Sequence, residues 1–241
     1  MEAGGFAVGV IALASLFNNA VDCFEYIQIG RNFGTNFQTC LLKLDNARLR
    51  LSRWGQAAGL SGNVEDTQSL QQGSLSAEDI PKAEKILGQV LDLFADAEGV
   101  SAKFKIRASP NDTSLALYDQ HKELDSLGMT LHDKMRTLSL KRQNRTQLRQ
   151  KVKWALYEEK HFRRLIDDIT ELVNSLVDLF PALQTMQREL CVYEVSEFGD
   201  GGLPVLKDIA KDQDKELEEA ILKALEHIVR LCFYDFLIAG L

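Results

Sequence analysis

Gly5-Phe-Ala-Val-Gly-Val-Ile-Ala-Leu-Ala-Ser-Leu-Phe17 is the stretch on which the fold turns. No charged residue stands between Glu2 and Asp22, so about 20 consecutive positions are apolar or neutral. A hydrocarbon core about 30 Å thick needs ~20 such residues as a helix. A fully buried core helix of a soluble domain has the same composition. The remainder of the chain must therefore decide between a membrane and a protein core.

The totals favour a core. The chain has 241 residues, 45% hydrophobic and 26% charged, with net charge −7, the balance of an ordinary globular domain. That charge supplies no general attraction to nucleic acid or anionic lipid. Cys23, Cys40, Cys191 and Cys232 are scattered without C-x-x-C spacing, which predicts reduced, buried thiols rather than a zinc site or a disulfide scaffold. Ala12-Leu-Ala14 could pass for a signal cleavage site. Glu2, however, occupies the place where a secretory leader carries Lys or Arg.

Periodicity outlines the helices. The first is expected over 5–29, with Gly5 and Gly9 in G-x-x-x-G spacing and Gly30 as its stop. Phe37, Cys40, Leu41, Leu44, Ala47, Leu51 and Trp54 predict a helix over 35–58, with Arg48, Arg50 and Arg53 lining its other side. A loop over 59–75 leads to a capping box at Ser76–Asp79, and Pro81 suits a first turn. Further helices are expected from Ile80 onward, over 115–140, from Phe162 to Phe180, up to Tyr193, and over 205–236 after the Gly-rich hinge at 198–204. No segment alternates with period two. The expectation is one all-α domain, a multi-helix bundle with a partly buried apolar N-terminal helix.

Nothing in the pattern asks for catalysis. His121, His132, His161 and His227 fall in different helices without metal-ligand spacing, no phosphate loop or nucleophile elbow is present, and no cofactor is implied. Charge distribution is more informative. The run 134–153 holds many bases and no acid, whereas 189–226 is acidic. Lys141, Arg142, Arg145, Arg149, Lys151 and Lys153 form a candidate patch for anionic lipid headgroups. No aromatic residue interleaves with these bases, so nucleic acid is not an expected partner. The alternative is that the basic and acidic helices complement each other within the bundle.

Several strings resemble a known family. Leu16-Phe-Asn-Asn19, Val21-Asp-Cys-Phe-Glu-Tyr26 and Gln28-x-Gly-Arg-x-Phe-Gly34 are similar to the start of the fungal HeLo domain, the N-terminal domain of HET-s/HET-S-type heterokaryon-incompatibility proteins. The motif residues are Asn18, Asn19, Asp22, Phe24, Glu25, Tyr26, Gly30, Arg31, Phe33 and Gly34. Arg50-Leu-Ser-Arg-Trp-Gly55, with Trp54, and Trp154-Ala-Leu-Tyr157 extend the match, and Leu206-Lys-Asp208 fits it more loosely.

The resemblance implies a HeLo-like helical domain over 1–226; residues 227–241, the end of the last helix and a tail, depart from the family's pattern in showing no prion-forming repeat. It implies a latent cell-death effector, cytoplasmic at rest, that releases its N-terminal helix into the plasma membrane. The inserting residues would be Gly5, Phe6, Val8, Gly9, Val10, Ile11, Leu13, Leu16 and Phe17. Implied partners are membrane lipids, further copies in a homodimer or homo-oligomer, and an amyloid-forming segment or receptor-type protein as trigger. A soluble, non-toxic adaptor whose first helix never leaves the core is the competing function.

Overall fold

Apolar residues recurring every three or four positions make Phe37–Ala57 a helix, and that helix is buried on nearly every side. It is the axis of the fold. The structure is a computed structural model that describes residues 2–31, 36–61, 75–109, 112–143 and 153–239. Besides a single helical turn at Gln120–Glu123, eight helices are described: α1 (Glu2–Cys23), the axial α2 (Phe37–Ala57), α3 (Ile80–Arg107), α4 (Ser126–Lys141), α5 (Glu159–Leu179), α6 (Gln184–Phe198), α7 (Leu203–Ala210) and α8 (Lys215–Ala239).

One face of α2, with Leu41, Leu44, Leu51 and Trp54, completes a core with α1, α3 and α5. The opposite face presents Leu42 and Leu49, one heptad apart, to a second core with α4, α6, α7 and α8. The all-α expectation holds in bulk, and Cys23, Cys40 and Cys191 are buried as expected. Burial pushes the Cys191 thiol up and makes it inert.

Four local expectations are corrected. The first helix ends at Cys23, six residues early. The chain then makes a 3-10 turn over Phe24–Tyr26 and a strand, β1 (Ile27–Ile29), which pairs in parallel with β2 (Trp154–Leu156). Strands of three residues are too short to display alternation; β2 is buried throughout, and in β1 Gln28 is half-buried between buried Ile27 and Ile29. The helix expected over 115–140 is broken. Leu117 bridges to Gly30, and α4 begins only at Ser126, capped by Asp125 accepting from the Gly128 N–H at 2.6 Å.

The helix expected over 205–236 is also two, α7 and α8. They are separated at 211–214, where Asp212 takes φ of 66°. Its cause lies in the fourth correction: Arg48, Arg50 and Arg53 are not on a solvated side of α2 but buried. Arg53 places its Nε and Nη2 on Glu194 of α6 and its Nη1 and Nη2 on Asp214, with contacts of 2.7–3.1 Å. Bringing the Asp214 carboxylate into the core forces the chain to turn before α8, which the same carboxylate then caps at Leu217 N–H. Burial alone would raise the Asp214 carboxyl, but the charges of Arg53 and Arg50 outweigh it and hold it low.

Removing one partner from such a buried set strands the others. We expect Arg53→Met to lower unfolding free energy by ~3–5 kcal/mol, measured by urea denaturation. A loss within the range of a surface substitution would show that the network does not hold α6 and α8 to α2.

Candidate membrane-active segment and its anchorage

Val8–Tyr26 is long and apolar enough to cross a membrane, with mean hydropathy 1.3, and half of it is buried. Helical spacing divides its residues. Val10, Leu13, Ala14, Phe17, Ala20 and Val21 form the inward stripe, while Val8 is 68% and Ile11 52% exposed. Leu16 is half-buried against the same core. Hydropathy alone predicts that the bundle covers Val8 and Ile11, and the structure corrects this by leaving both exposed. Among the described residues α1 packs mainly on α3 and α2, and Val8 and Ile11 lie on the side away from them. The side chain of Phe6 lies outside the described residues, as do Phe33 and Gly34.

α1 and α3 run in the same direction, with Gly9 against Ile80 and Phe24 edge-on to Phe94 at 5.0 Å between ring centroids. A Cβ at Gly9 would meet Ile80 at 3.5 Å, an ordinary van der Waals contact, so the packing there does not require glycine. The deepest contact is made by Phe17, which is wholly buried and lies over Gly55 of α2. A Cβ at Gly55 would stand 2.2 Å from the Phe17 ring. Glycine mid-helix is costly by propensity, and here it provides the socket for the ring.

Past Phe17 the anchors become polar. Gln143 donates to the Asn18 carbonyl at 3.3 Å and to the Asp22 carboxylate at 2.7 Å. Glu25 receives Arg136 through a two-pronged contact, Nε at 2.8 Å and Nη2 at 2.7 Å, and also Arg48. Burial would raise the Glu25 carboxyl; the bonds and charges of Arg136 and Arg48 outweigh it and bring it down to about 2. Nearby, fully buried Asp45 pairs with His132 Nδ1 at 2.7 Å. Burial pushes the Asp45 carboxyl up, while that contact pulls it back and favours the charged imidazole. The segment finally locks into the sheet, where Gly30 N–H donates to the Leu156 carbonyl at 2.8 Å. A Cβ at Gly30 would meet the Tyr157 Cα at 2.9 Å, so only glycine fits there.

These contacts fall on the strings that carried the family resemblance. Residues 5–228 match the HeLo family, described as prion-inhibition and propagation. The heterokaryon incompatibility protein s of Podospora anserina is 33% identical over 229 residues, 95% of this chain and 76% of that protein. The chain belongs to the HeLo family. The heterokaryon incompatibility protein S of the same fungus is 32% identical over 222 residues, covering 92% of this chain and 74% of its own. Among solved structures, the N-terminal domain of HET-s superposes with a TM-score of 0.79 at 33% identity, covering 90% of this chain and 98% of that one. A doubly substituted form of it gives 0.78 at 32% identity, covering 89% and 98%.

Within this HeLo domain the motif residues have mostly anchoring places. Gln28-x-Gly and Trp154-Ala-Leu-Tyr157, over a hundred residues apart, are partners in one sheet. Trp54 lies against Phe180, 5.9 Å between ring centroids, and exposed Arg31 pairs with Glu123 at 3.1 Å. Asn19 is exposed and Tyr26 half-buried. Of the candidate headgroup patch, Arg142 does not belong to the surface. Arg142 is buried, donating to Gln56 and pairing with Glu194, as the complementary-helix alternative anticipates. Lys141 and Lys153 are exposed, and Arg145, Arg149 and Lys151 lie outside the described residues. Sequence reasoning did not assign Gly55, Arg48, Arg136 or Gln143 to the segment. Only Gly55 left a signal, a glycine inside an otherwise strong helix.

Two outcomes test the anchorage. Gly55→Val should destabilise the domain by at least the ~1–3 kcal/mol of an overpacked core and raise hydrogen exchange of the Leu13–Val21 amides first. For Glu25, the folded pKa lies below the ordinary 4.5, so its contribution is complete above about 4.5 and is lost as pH falls towards 2. An acid titration of stability should therefore lose its steepest part over that window in Glu25→Gln. An unchanged acid limb would remove Glu25 from the set of anchors.

Proposed function

We propose that this HeLo domain is a latent membrane-disrupting effector of fungal programmed cell death, of the heterokaryon-incompatibility type, that acts by releasing α1 into a bilayer. The observation that carries this reading is the division within α1: a span-length apolar helix half covered by the domain, with Val8 and Ile11 left in solvent. Val10, Leu13 and Phe17 lose little on transfer, because hydrocarbon buries them as well as the core does. Each is worth roughly 1.5–3 kcal/mol in either place for the larger side chains. The cost falls on what α1 leaves behind, the Gly55 socket and the α3 face, and on the polar anchors at Asp22 and Glu25. A trigger must weaken those.

Asp22 closes the apolar run, so it would stand near the membrane interface, where a carboxylate is far less costly than at the bilayer centre. The plasma membrane is the proposed site of action, with the cytoplasm as the resting place. Lipids and further copies of the domain are the proposed partners there, and an amyloid-forming or receptor-type protein is the proposed trigger.

A peptide of residues 1–34 should release dye from anionic liposomes, while the whole chain leaves them sealed. Val8→Lys should abolish release by the peptide yet leave the melting temperature of the whole chain nearly unchanged, because Val8 is exposed. Leu13→Lys should abolish release and also unfold the domain, since Leu13 is fully buried. Liposomes that stay sealed to the unmodified peptide would instead favour the soluble adaptor, whose α1 amides would remain protected from exchange in the presence of lipid.

A further inference from the structure

Asp45 of α2 and His132 of α4 meet in the wall of a cavity of about 560 Å³ that Glu25, Arg48 and Arg136 also line. Their side chains are 7% and 12% exposed, and among the described residues His132 is the one side-chain partner of the Asp45 carboxylate. That partner differs from the other bases that line the cavity. Arginine and lysine stay charged at neutral pH, whereas an imidazole gives up its charge there. One proton, shared by the pair, therefore decides whether Asp45 is a compensated or a bare buried carboxylate.

The charges around the pair are already engaged. From the link between α1 and β1 comes Glu25, held by Arg48 and by Arg136. These two arginines stand one turn beyond Asp45 and His132 on the same helices, so both ends of the Glu25 grip adjoin the pair. The 117–119 segment brings Tyr118 and Asp119, the latter paired with Lys122 at 3.0 Å. Exposed Asp133 follows His132 on α4, and exposed Lys153 precedes β2. Arg48 is the permanent charge that bears on both carboxylates. Its Nη1 is on Glu25, its charge also favours the ionised Asp45, and its Nε and Nη2 have no acceptor.

We infer that the His132–Asp45 pair is a proton-operated latch on the exit of α1, closed while the pair holds its proton and loosened when the proton leaves. Once bare, the Asp45 carboxylate competes with Glu25 for Arg48. Arg136 is then left to hold the link, and the segment that leads out of α1 opens more often.

The direction of the switch follows from the groups named. Burial would lower the His132 imidazole, but the bond and charge of Asp45 and the charge of Asp133 outweigh it and hold it above its ordinary 6.5. Its contribution is therefore complete below about 6.5 and is lost as pH rises through the folded value. Glu25, held down at about 2, stays charged across that range, so alkali loosens the latch through the pair alone. The latch is a property of the folded chain in water and does not rest on the membrane reading. On that reading, an alkaline shift eases the departure of α1.

The test uses the whole chain in lipid-free buffer. NMR follows the His132 imidazole from about pH 6 upward, and hydrogen exchange of the amides of 24–30 is measured over the same range, corrected for the intrinsic pH dependence of exchange. We expect a midpoint above 6.5, and protection that falls about tenfold for each unit by which the midpoint exceeds 6.5. His132→Gln keeps a donor for Asp45 without its proton, and should begin at the loosened level with no further fall. Asp45→Asn removes the buried charge and should stay at the closed level throughout. A midpoint at or below 6.5, exchange that does not follow the titration, or the same fall in both variants overturns the latch. Liposome leakage plays no part in this readout, so a 1–34 peptide that leaves liposomes sealed would remove the membrane reading and leave the latch standing.

Discussion

Everything in the domain hangs on α2 being buried on all sides while carrying three arginines and an aspartate. A helix so placed cannot send its polar groups to water, so each must find a partner inside the protein. Arg53 does so with Glu194 and Asp214, and Arg50 with Asp214 and Asn174. Arg48 uses Glu25, and Asp45 uses His132. Those partners come from α6, from the corner before α8, from α5, from the α1–β1 link and from α4. The helices are thereby oriented around α2 by charge as much as by shape. Buried ion pairs contribute little net stability against an apolar substitute, but breaking one is expensive. This network therefore specifies an arrangement more than it adds stability.

The same geometry ties α1 by contacts of a different kind. The polar stripe of α2 engages the link between α1 and β1 rather than α1 itself, apart from the glycine that admits Phe17. Inward contacts of α1 are dispersive and hydrophobic, which a bilayer can replace, whereas the contacts at Asp22, Glu25 and Gly30 are directional and have no counterpart in lipid. The boundary between replaceable and irreplaceable contacts falls near Val21. A helix released from this fold would be expected to part there, with the sheet and the Glu25 grip holding the rest.

Legibility tracked the range of the physics. The stripes that predict α2, α3 and α5 come from local periodicity, and those helices lie close to their expected positions. The strand pair was invisible because three residues are too few for alternation to be read, and Ile27 and Trp154 are joined only by the fold. The break before α8 was hidden for a related reason: Asp214 ends the preceding turn because Arg53 draws it inward, and nothing beside it announces that. In the site, Phe17 and Leu13 were legible as apolar, whereas the exposure of Val8 depends on which neighbours α1 acquires.

By itself, the sequence determined an all-helical domain, an apolar first helix of near-spanning length, and kinship with the HeLo family through motifs that survive at particular positions. These are local properties, fixed by side-chain chemistry and spacing. Tertiary structure alone decided that the arginines of α2 are core residues and that Arg142 is buried rather than part of a headgroup surface. It also decided that Gly30 and Gly55 are close-approach points and that Glu25 ties the exit of α1 to two other helices. The reason is that a charge has no fixed place in a pattern. It is solvated, paired or left over according to what the rest of the chain brings within a few ångströms.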